Sequence, residues 1–339
     1  MLDLRDLNMA IILCQECDMN LEKHARLATV QAIYDHYESQ REGKTHRPHL
    51  GGSQIGNECK RALWYQFRWA WSPGFDGRVL RLFETGDREE DRLIANLRAV
   101  GCTVWDRDPE TGKQIRFTAH GGHFALSLDG VVEGLKESGQ PHVFEAKTMN
   151  AKQFANMKRY GVEAAKPVYY AQMQVGMHLA DLDRALFLVT CKDNDEIYGE
   201  RVKLDQSEAM RLIAKAGEII FSDAPPQRIS DDPSYFGCKF CPYRPVCHGC
   251  KIPEVHCRTC AHATPDQDGT WSCAIGHEFG TPCDEHVFIP QMMPPDLELH
   301  DAGDGWVEYL DKDTGEIVRN EKNSQEMYEG RMKRYEELD

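Results

Sequence analysis

The sequence lacks any long hydrophobic run. No apolar stretch in its 339 residues approaches the roughly 20 residues that a helix needs to span a bilayer. The first residues, Met1 to Asp6, carry acids where a secretory signal carries bases. We therefore expect a cytoplasmic protein with no membrane partner.

The sequence also lacks the basic excess that is common in nucleic-acid-binding proteins, since its net charge is −15. Much of this charge is local: residues 284–339 hold 16 acids and 6 bases, a net of −10, which leaves −5 for residues 1–283. Bases cluster in two stretches, at Lys60, Arg61, Arg68, Arg78 and Arg81, and at Lys147, Lys152, Lys158, Arg159 and Lys166. Solvated helix faces also produce such clusters, so charge alone does not decide the partner.

Hydrophobic periodicity predicts an α/β fold, in which a mixed sheet is covered by helices. Ser53 is the predicted N-cap of a helix that runs through Phe67. The predicted helices are a lead-in within residues 1–45, then 78–100, two pieces within 151–180 broken near Gly161 and Pro167, 206–221, and an acidic surface helix at the end. The predicted strands are 102–106, 114–118, 123–132, 142–147, 184–191 and 196–203, with a hairpin at 305–319.

Cysteine is abundant: the chain has thirteen, and eight of them lie between Cys238 and Cys283. In a reducing compartment, such clustering favours metal or cluster ligation over disulfides. The remaining cysteines, Cys14, Cys17, Cys102 and Cys191, are expected to be small buried hydrophobes.

A first set of thiols has the spacing Cys238-x2-Cys241-x5-Cys247. An iron–sulfur cluster normally takes four cysteines, so a fourth ligand must come from elsewhere. Cys59 is the best candidate, because a predicted helix start and adjacent cations favour its thiolate. The spacing alone fits zinc equally well, with Cys250 or His248 as the fourth ligand.

A second set, Cys257-x2-Cys260-x12-Cys273-x9-Cys283, has spacing close to that of zinc ribbons. We expect structural zinc here, because so short a module has too little apolar core to fold alone. A loose, reduced segment is the alternative. Further histidines offer reserve ligands: His256, His262, His277 and His286.

Between Cys59 and Cys238 lie the residues for a metal-dependent hydrolytic site. Asp129 ends an apolar predicted strand, and Glu145-Ala146-Lys147 follows on the next one. Alternation along a strand puts Glu145 and Lys147 on one face. Asp129 and Glu145 then suit a shared hard cation such as Mg²⁺ or Mn²⁺, and Lys147 suits a water or phosphate beside it.

Together these motifs resemble the PD-(D/E)XK nuclease superfamily, and specifically the iron–sulfur RecB-type exonucleases, with CRISPR-associated and phage members. The resemblance covers roughly residues 50–250 and includes the segment Ser53-x2-Gly56-x2-Cys59-x-Arg61, followed later by the Cys238 set. Gly86-x3-Glu90 resembles a further metal-binding segment, with Glu89 as the alternative if the register differs by one. Gln172 resembles the glutamine of a Gln-x3-Tyr helix, although this chain has Gly176 at the tyrosine position.

The resemblance implies a restriction-endonuclease-like fold stapled by a 4Fe–4S cluster on Cys59, Cys238, Cys241 and Cys247. It also implies exonuclease action on DNA, with partners in recombination, repair or CRISPR-type systems. The expected organisation is a helical lead-in (1–50), a nuclease domain (51–250), a zinc-ribbon-like module (251–290) and an acidic tail with a hairpin and a helix (291–339). Two rival functions remain open: a non-catalytic nucleic-acid-binding scaffold and an iron–sulfur electron carrier.

Overall fold

The computed structural model describes residues 27–41, 46–72, 74–249, 251–281, 283–322 and 324–336, with side chains up to Arg331. Contacts divide the chain into two compact units, one formed by residues 1–44 with 74–85 and the other by residues 45–73 with 86–339. Most of the predicted lead-in, together with Cys14, Cys17 and Cys250, lies outside the described residues. Every helix in the described ranges is too short or too polar to cross a membrane.

The described elements alternate between helices and strands in a mixed α/β order. In chain order they are α1 (Ala28–Ser39), β1 (Leu50–Gly51), α2 (Lys60–Phe67), α3 (Gly77–Ala99), β2 (Thr103–Trp105), β3 (Arg116–Ala119), β4 (Phe124–Ser127), β5 (Gly130–Glu133), β6 (His142–Met149), α4 (Ala151–Ala165), α5 (Pro167–Leu179), β7 (Arg184–Cys191), β8 (Ile197–Lys203), α6 (Gln206–Ile220), α7 (Phe236–Lys239), α8 (Arg244–Cys247), β9 (Ala263–Pro265), β10 (Trp271–Cys273), β11 (Leu297–Gly303), β12 (Trp306–Asp311), β13 (Ile317–Asn320) and α9 (Ser324–Glu336).

In the first unit, the described residues of α1 contact the start of α3. The backbone N–H of Gly77 donates to Glu38 Oε1 at 2.7 Å, and the Tyr37 hydroxyl donates to Glu84. A Cβ on Gly77 would lie 2.4 Å from backbone atoms of Tyr34. The absence of a side chain at this position therefore permits the close approach of the two segments.

The second unit is built on a five-stranded sheet in the order β2-β5-β6-β7-β8. β6 and β7 pair in parallel, and the other neighbours are antiparallel, so the sheet is mixed as predicted. The central strands β6 and β7 are largely buried, because helices cover them. Asn150 and Asp205 cap α4 and α6 through their side chains, which fixes where these helices begin.

The predicted strand 123–132 is wrong as one element. β4 belongs to a three-stranded sheet with β1 and β3, whereas β5 belongs to the five-stranded sheet. The chain changes sheets after Leu128, whose N–H donates to Ile115 O at 2.9 Å in register with the β3–β4 ladder, whereas Gly130 already pairs with Phe144 of β6. Asp129 is thereby left outside both ladders.

The predicted N-cap at Ser53 is also wrong. Ser53 lies in a short 3₁₀ turn (Gly52–Gln54), and Cys59 caps α2 by accepting the Ala62 N–H at 3.4 Å. The buried Lys215 ammonium donates to the carbonyl oxygens of Ile55 (2.8 Å) and Asn57. These carbonyls therefore bond to α6 and not within a continuous helix.

The cysteine-bearing hairpin of β9 and β10 packs against the core of the second unit. Trp271 stacks on Phe67 with ring centroids 5.4 Å apart. The His123 ring N–H donates to the carbonyl oxygens of Asp266 (3.0 Å) and Thr270 (3.1 Å), on the turn of the hairpin. Further along, β11, β12 and β13 form an antiparallel sheet, so the predicted hairpin is confirmed and gains a third strand.

Candidate active site and cysteine clusters

Asp129 is positioned by the connection between two sheets. Its Oδ2 accepts the backbone N–H of Ala146 on β6 at 2.9 Å. The residue is only 8% exposed, so the carboxylate is held against the strand and away from bulk water. This places it beside Glu145 and Lys147, the pair that the sequence motif predicts as its partners.

Glu145 and Lys147 lie on the same face of β6. The Lys147 ammonium donates to Glu145 Oε1 and to the Ala146 carbonyl at 3.0 Å, and it lies 3.7 Å from Asp129 Oδ2. Glu145 is 1% exposed. One ammonium group thus bridges a carboxylate on β6 and a carboxylate in the connection between β4 and β5.

The two glutamates on α3 face different surroundings. Glu89 accepts the Thr190 hydroxyl at 2.8 Å and pairs with Arg92. Glu90 interacts electrostatically with Asp129 and Lys147. Of the two, Glu90 is the glutamate whose charge interacts with Asp129 and Lys147, whereas Glu89 is bonded to Thr190 and Arg92.

Gln172 on α5 contacts the site directly. It is buried, and its Nε2 donates to Glu145 Oε2 at 2.8 Å. Both carboxylate oxygens of Glu145 are therefore hydrogen-bonded, one by Gln172 and the other by Lys147. The sequence reasoning missed Tyr169, whose ring centroid lies 5.5 Å from Lys147 Nζ. Helical spacing was the available signal, because Tyr169 and Gln172 are three residues apart and share a face.

The carboxyl groups of Glu145 and Glu90 are hard to ionise. Burial raises the pKa of Glu145 to about 8, with a further rise from Asp129 opposed by Lys147. Burial and the Asp129 charge likewise raise the pKa of Glu90 to about 7. Burial acts to lower the pKa of Lys147, but Glu145 and Asp129 hold it above its ordinary value. The site therefore combines two carboxyl groups that resist ionisation with a lysine that stays an ammonium ion.

The four cysteines of the first set line a single cavity. Cys59 comes from the start of α2, and Cys238, Cys241 and Cys247 come from the segment with α7 and α8. Burial, together with the charges of the other three thiols, raises the pKa of Cys241 to about 11. His248 also lines this cavity, and its Nε2 has no hydrogen-bond partner among the described residues.

The second cysteine set lies on and around the β9–β10 hairpin. Cys257 accepts the Gly280 N–H at 3.2 Å, and Cys283 accepts the Glu285 N–H at 3.3 Å. Burial raises the pKa of Cys260, and the neighbouring Cys257 and Cys273 raise it further. Among the reserve histidines, His256 and His286 bond to backbone carbonyls, of Trp69 at 2.9 Å and of His256 at 3.1 Å respectively.

Within the described ranges, one group of at least three His, Cys, Asp or Glu side chains has all its ligand atoms within 4.8 Å of one another, namely Asp296, Asp311 and Asp313. Arg331 forms ion pairs with Asp296 and Asp311, which supply much of the charge balance there. The candidate nuclease carboxylates and the two cysteine sets are spaced more widely than this.

No protein-family model matches the chain, and no curated protein matches its sequence. Its fold has weak similarity to solved structures. The crystal structure of SSO0001 is 12% identical with a TM-score of 0.39, over 65% of this chain and 96% of that one. An alkaline exonuclease from Laribacter hongkongensis, LHK-Exo, is 16% identical with a TM-score of 0.37, and the match covers 55% of this chain and 90% of that one. The structure of the same enzyme in complex with dAMP is 17% identical with a TM-score of 0.38, and it covers 55% of this chain and 90% of that one. Values this low do not establish a family for the chain.

Proposed function

We propose that the protein is a metal-dependent DNA nuclease of the PD-(D/E)XK type, with a restriction-endonuclease-like core. The observation that carries the proposal is the meeting of Asp129, Glu145 and Lys147 at the middle of β6. Their contacts join a turn between two sheets to a buried strand, and Glu90 faces them from α3. A structural role alone does not explain three acids around a single ammonium, because burying unbalanced charge is costly.

The donor set fits a hard divalent cation. Glu90, Asp129 and Glu145 offer carboxylate oxygens, the ligands that Mg²⁺ and Mn²⁺ prefer. Burial and the neighbouring Asp129 charge raise the pKa values of Glu90 and Glu145, and a bound divalent cation would favour the ionised form of both groups. Bound there, the cation would supply Lewis acidity and lower the pKa of a water molecule.

In this proposal Lys147 acts as a fixed positive charge and not as a general base. Its pKa lies above the ordinary value, so it does not give up its proton near neutral pH. An ammonium group beside the reacting phosphate stabilises the negative charge that develops in the transition state. Gln172 and the Ala146 N–H act as positioning groups, because they hold Glu145 and Asp129 in place.

We further propose that Cys59, Cys238, Cys241 and Cys247 bind a 4Fe–4S cluster. The four thiols line one cavity although 178 residues separate Cys59 from Cys238. A cluster would therefore tie the start of α2 to the segment of α7 and α8, which is a structural role with no redox turnover. For the second set we propose structural zinc, supported by the N–H bonds to Cys257 and Cys283.

End-labelled single- and double-stranded DNA, incubated with and without Mn²⁺, tests the nuclease. Cleavage is expected only with the cation and is lost in Lys147→Ala. Lys312→Ala, a half-exposed lysine paired with Glu298 on the C-terminal sheet, is the matched control and keeps activity. Full activity in Lys147→Ala would refute the site. DNA binding without any cleavage by the unmodified protein would select the non-catalytic scaffold instead.

Iron and sulfide content after anaerobic purification tests the cluster. Cys59→Ser is expected to lose both, whereas Cys191→Ser keeps them, because Cys191 is fully buried in the core and lies outside the set. Zinc with no iron in the unmodified protein would favour the alternative in which His248 or Cys250 completes a zinc site.

A further inference from the structure

Two phenylalanines project into solvent next to the cavity of the first cysteine set. Phe236 is 80% exposed and Phe240 is 72% exposed. Their rings form an edge-to-face pair with centroids 5.8 Å apart. Single exposed apolar residues are ordinary, but an adjoining aromatic pair this exposed indicates a surface that a ligand covers.

The local backbone explains why these rings face outward. Phe236 and Phe240 flank Cys238, which is 5% exposed and directs its thiol into the cavity. A helical turn that buries Cys238 leaves residues two positions away on the opposite side. The segment is therefore fixed by the cysteine and not by its aromatic side chains, which contribute little to the core.

The surrounding charge is unusual for this chain. Residues 233–253 contain two lysines and one arginine and no acid, in a protein with a net charge of −15. Lys239 Nζ lies 5.6 Å from the Phe240 ring centroid, and Arg244 is exposed on α8. Cations among exposed aromatic rings suit a ligand with both flat faces and negative charge.

We propose that Phe236 and Phe240 form a stacking platform for the bases of single-stranded DNA, with Lys239 and Arg244 near its phosphates. The choice of nucleic acid rests on the proposed nuclease function. The choice of a single strand follows from the chemistry, because bases within a duplex already stack on one another and do not offer their faces to protruding rings.

Fluorescence anisotropy of labelled oligo(dT) and of a blunt duplex, measured without added Mg²⁺ or Mn²⁺ to prevent cleavage, tests the platform on the full chain. Phe236→Ala/Phe240→Ala is expected to weaken oligo(dT) binding by roughly five- to a hundredfold per ring. Phe236→Trp/Phe240→Trp keeps the affinity, and Phe236→Leu/Phe240→Leu loses it. Leu299→Ala, which removes a 66% exposed apolar side chain on the C-terminal sheet, has no effect.

A second measurement addresses the charges. Lys239→Gln is expected to reduce the slope of log affinity against log salt by about 0.7, the value for one phosphate contact on a single strand. Unchanged oligo(dT) affinity in the alanine pair overturns the platform. So does full affinity in the leucine pair, since it reduces the contact to apolar burial. A changed oligomeric state with unchanged DNA affinity also overturns it and assigns the rings to a protein contact. Absence of cleavage by the unmodified protein would refute the proposed nuclease function, but the oligo(dT) affinities of the variants would still test the platform.

Discussion

Replacing Gly269 with alanine tests how the cysteine-bearing hairpin is attached to the core. Gly269 has a φ of +93°, and a Cβ there would lie 2.0 Å from the carbonyl oxygen of Gly121. Backbone cannot rotate away as a side chain can, so the turn must move by about 1 Å or more to restore ordinary contact distances. That movement lengthens the two hydrogen bonds from the His123 ring to the carbonyl oxygens of Asp266 and Thr270, now 3.0 and 3.1 Å, beyond hydrogen-bonding distance.

The expected cost has two parts. The positive φ contributes about 1–2 kcal/mol for a residue with a Cβ. Stranding the buried His123 N–H contributes about 1–3 kcal/mol more. Gly276→Ala is the matched control, because Gly276 has a φ of +78° in the same segment, but a Cβ added there would have nothing within 4 Å of it. It should show the first part alone.

Urea unfolding, followed by circular dichroism, measures both variants against the unmodified protein. We expect Gly269→Ala to lose about 2–5 kcal/mol of unfolding free energy and Gly276→Ala about 1–2 kcal/mol. Equal losses would refute the close packing of Gly269 on Gly121. In that case the hairpin would be held by Trp271 and its neighbours and not by the turn.

Three further outcomes are expected. Gln172→Leu should lower the cleavage rate about 10–100-fold, because it releases Glu145. Gln174→Leu is the control: the Gln174 amide bonds to Lys203 and Asp205, so its loss should lower stability with little change in the cleavage rate per folded molecule. Equal cleavage rates in the two variants would contradict the role of Gln172. Mn²⁺ at a hundredfold excess over its Kd should stabilise the protein by about 2.7 kcal/mol in thermal unfolding, and Glu145→Gln should abolish the gain. Burial lowers the pKa of His286 to about 4, so the unfolded chain binds the proton first as the pH falls. The stability that is present above pH 6.5 should therefore be lost between about pH 6.5 and 4. If the urea midpoint of His286→Gln changes with pH as that of the unmodified protein does, this account is contradicted.

Elements with a strong period were predictable from the sequence. The bounds of β7 match the predicted 184–191, and α6 and β8 differ from prediction by one residue at one end. The break at Gly161 is confirmed, because this residue adopts a φ of +72° within α4. The burial of Cys102 and Cys191 is confirmed as well. In these cases a local pattern and a local cause coincide.

The errors arise where distant contacts override local pattern. Ser53 has the right side chain for a helix cap, but Lys215 binds the carbonyls of Ile55 and Asn57 and ends any helix there. The continuous apolar run at 123–132 divides between two sheets, and apolar character does not record which sheet a residue joins. Both features depend on partners that are far away in the chain.

The candidate site shows the same division between residue types and contacts. The sequence supplied Asp129, Glu145 and Lys147, but it left Glu89 and Glu90 as alternatives and lacked a tyrosine at position 176. The bond from Thr190 to Glu89 favours Glu90 in the proposed site, because Glu90 is the glutamate whose charge interacts with Asp129. Gly176 instead packs against Leu126 and Leu128, where a tyrosine ring has no room. Tyr169, about two turns before Gly176 on the same helix, places its ring by Lys147. An aromatic residue thus contacts the site from the start of α5 and not from the position that the Gln-x3-Tyr spacing predicts.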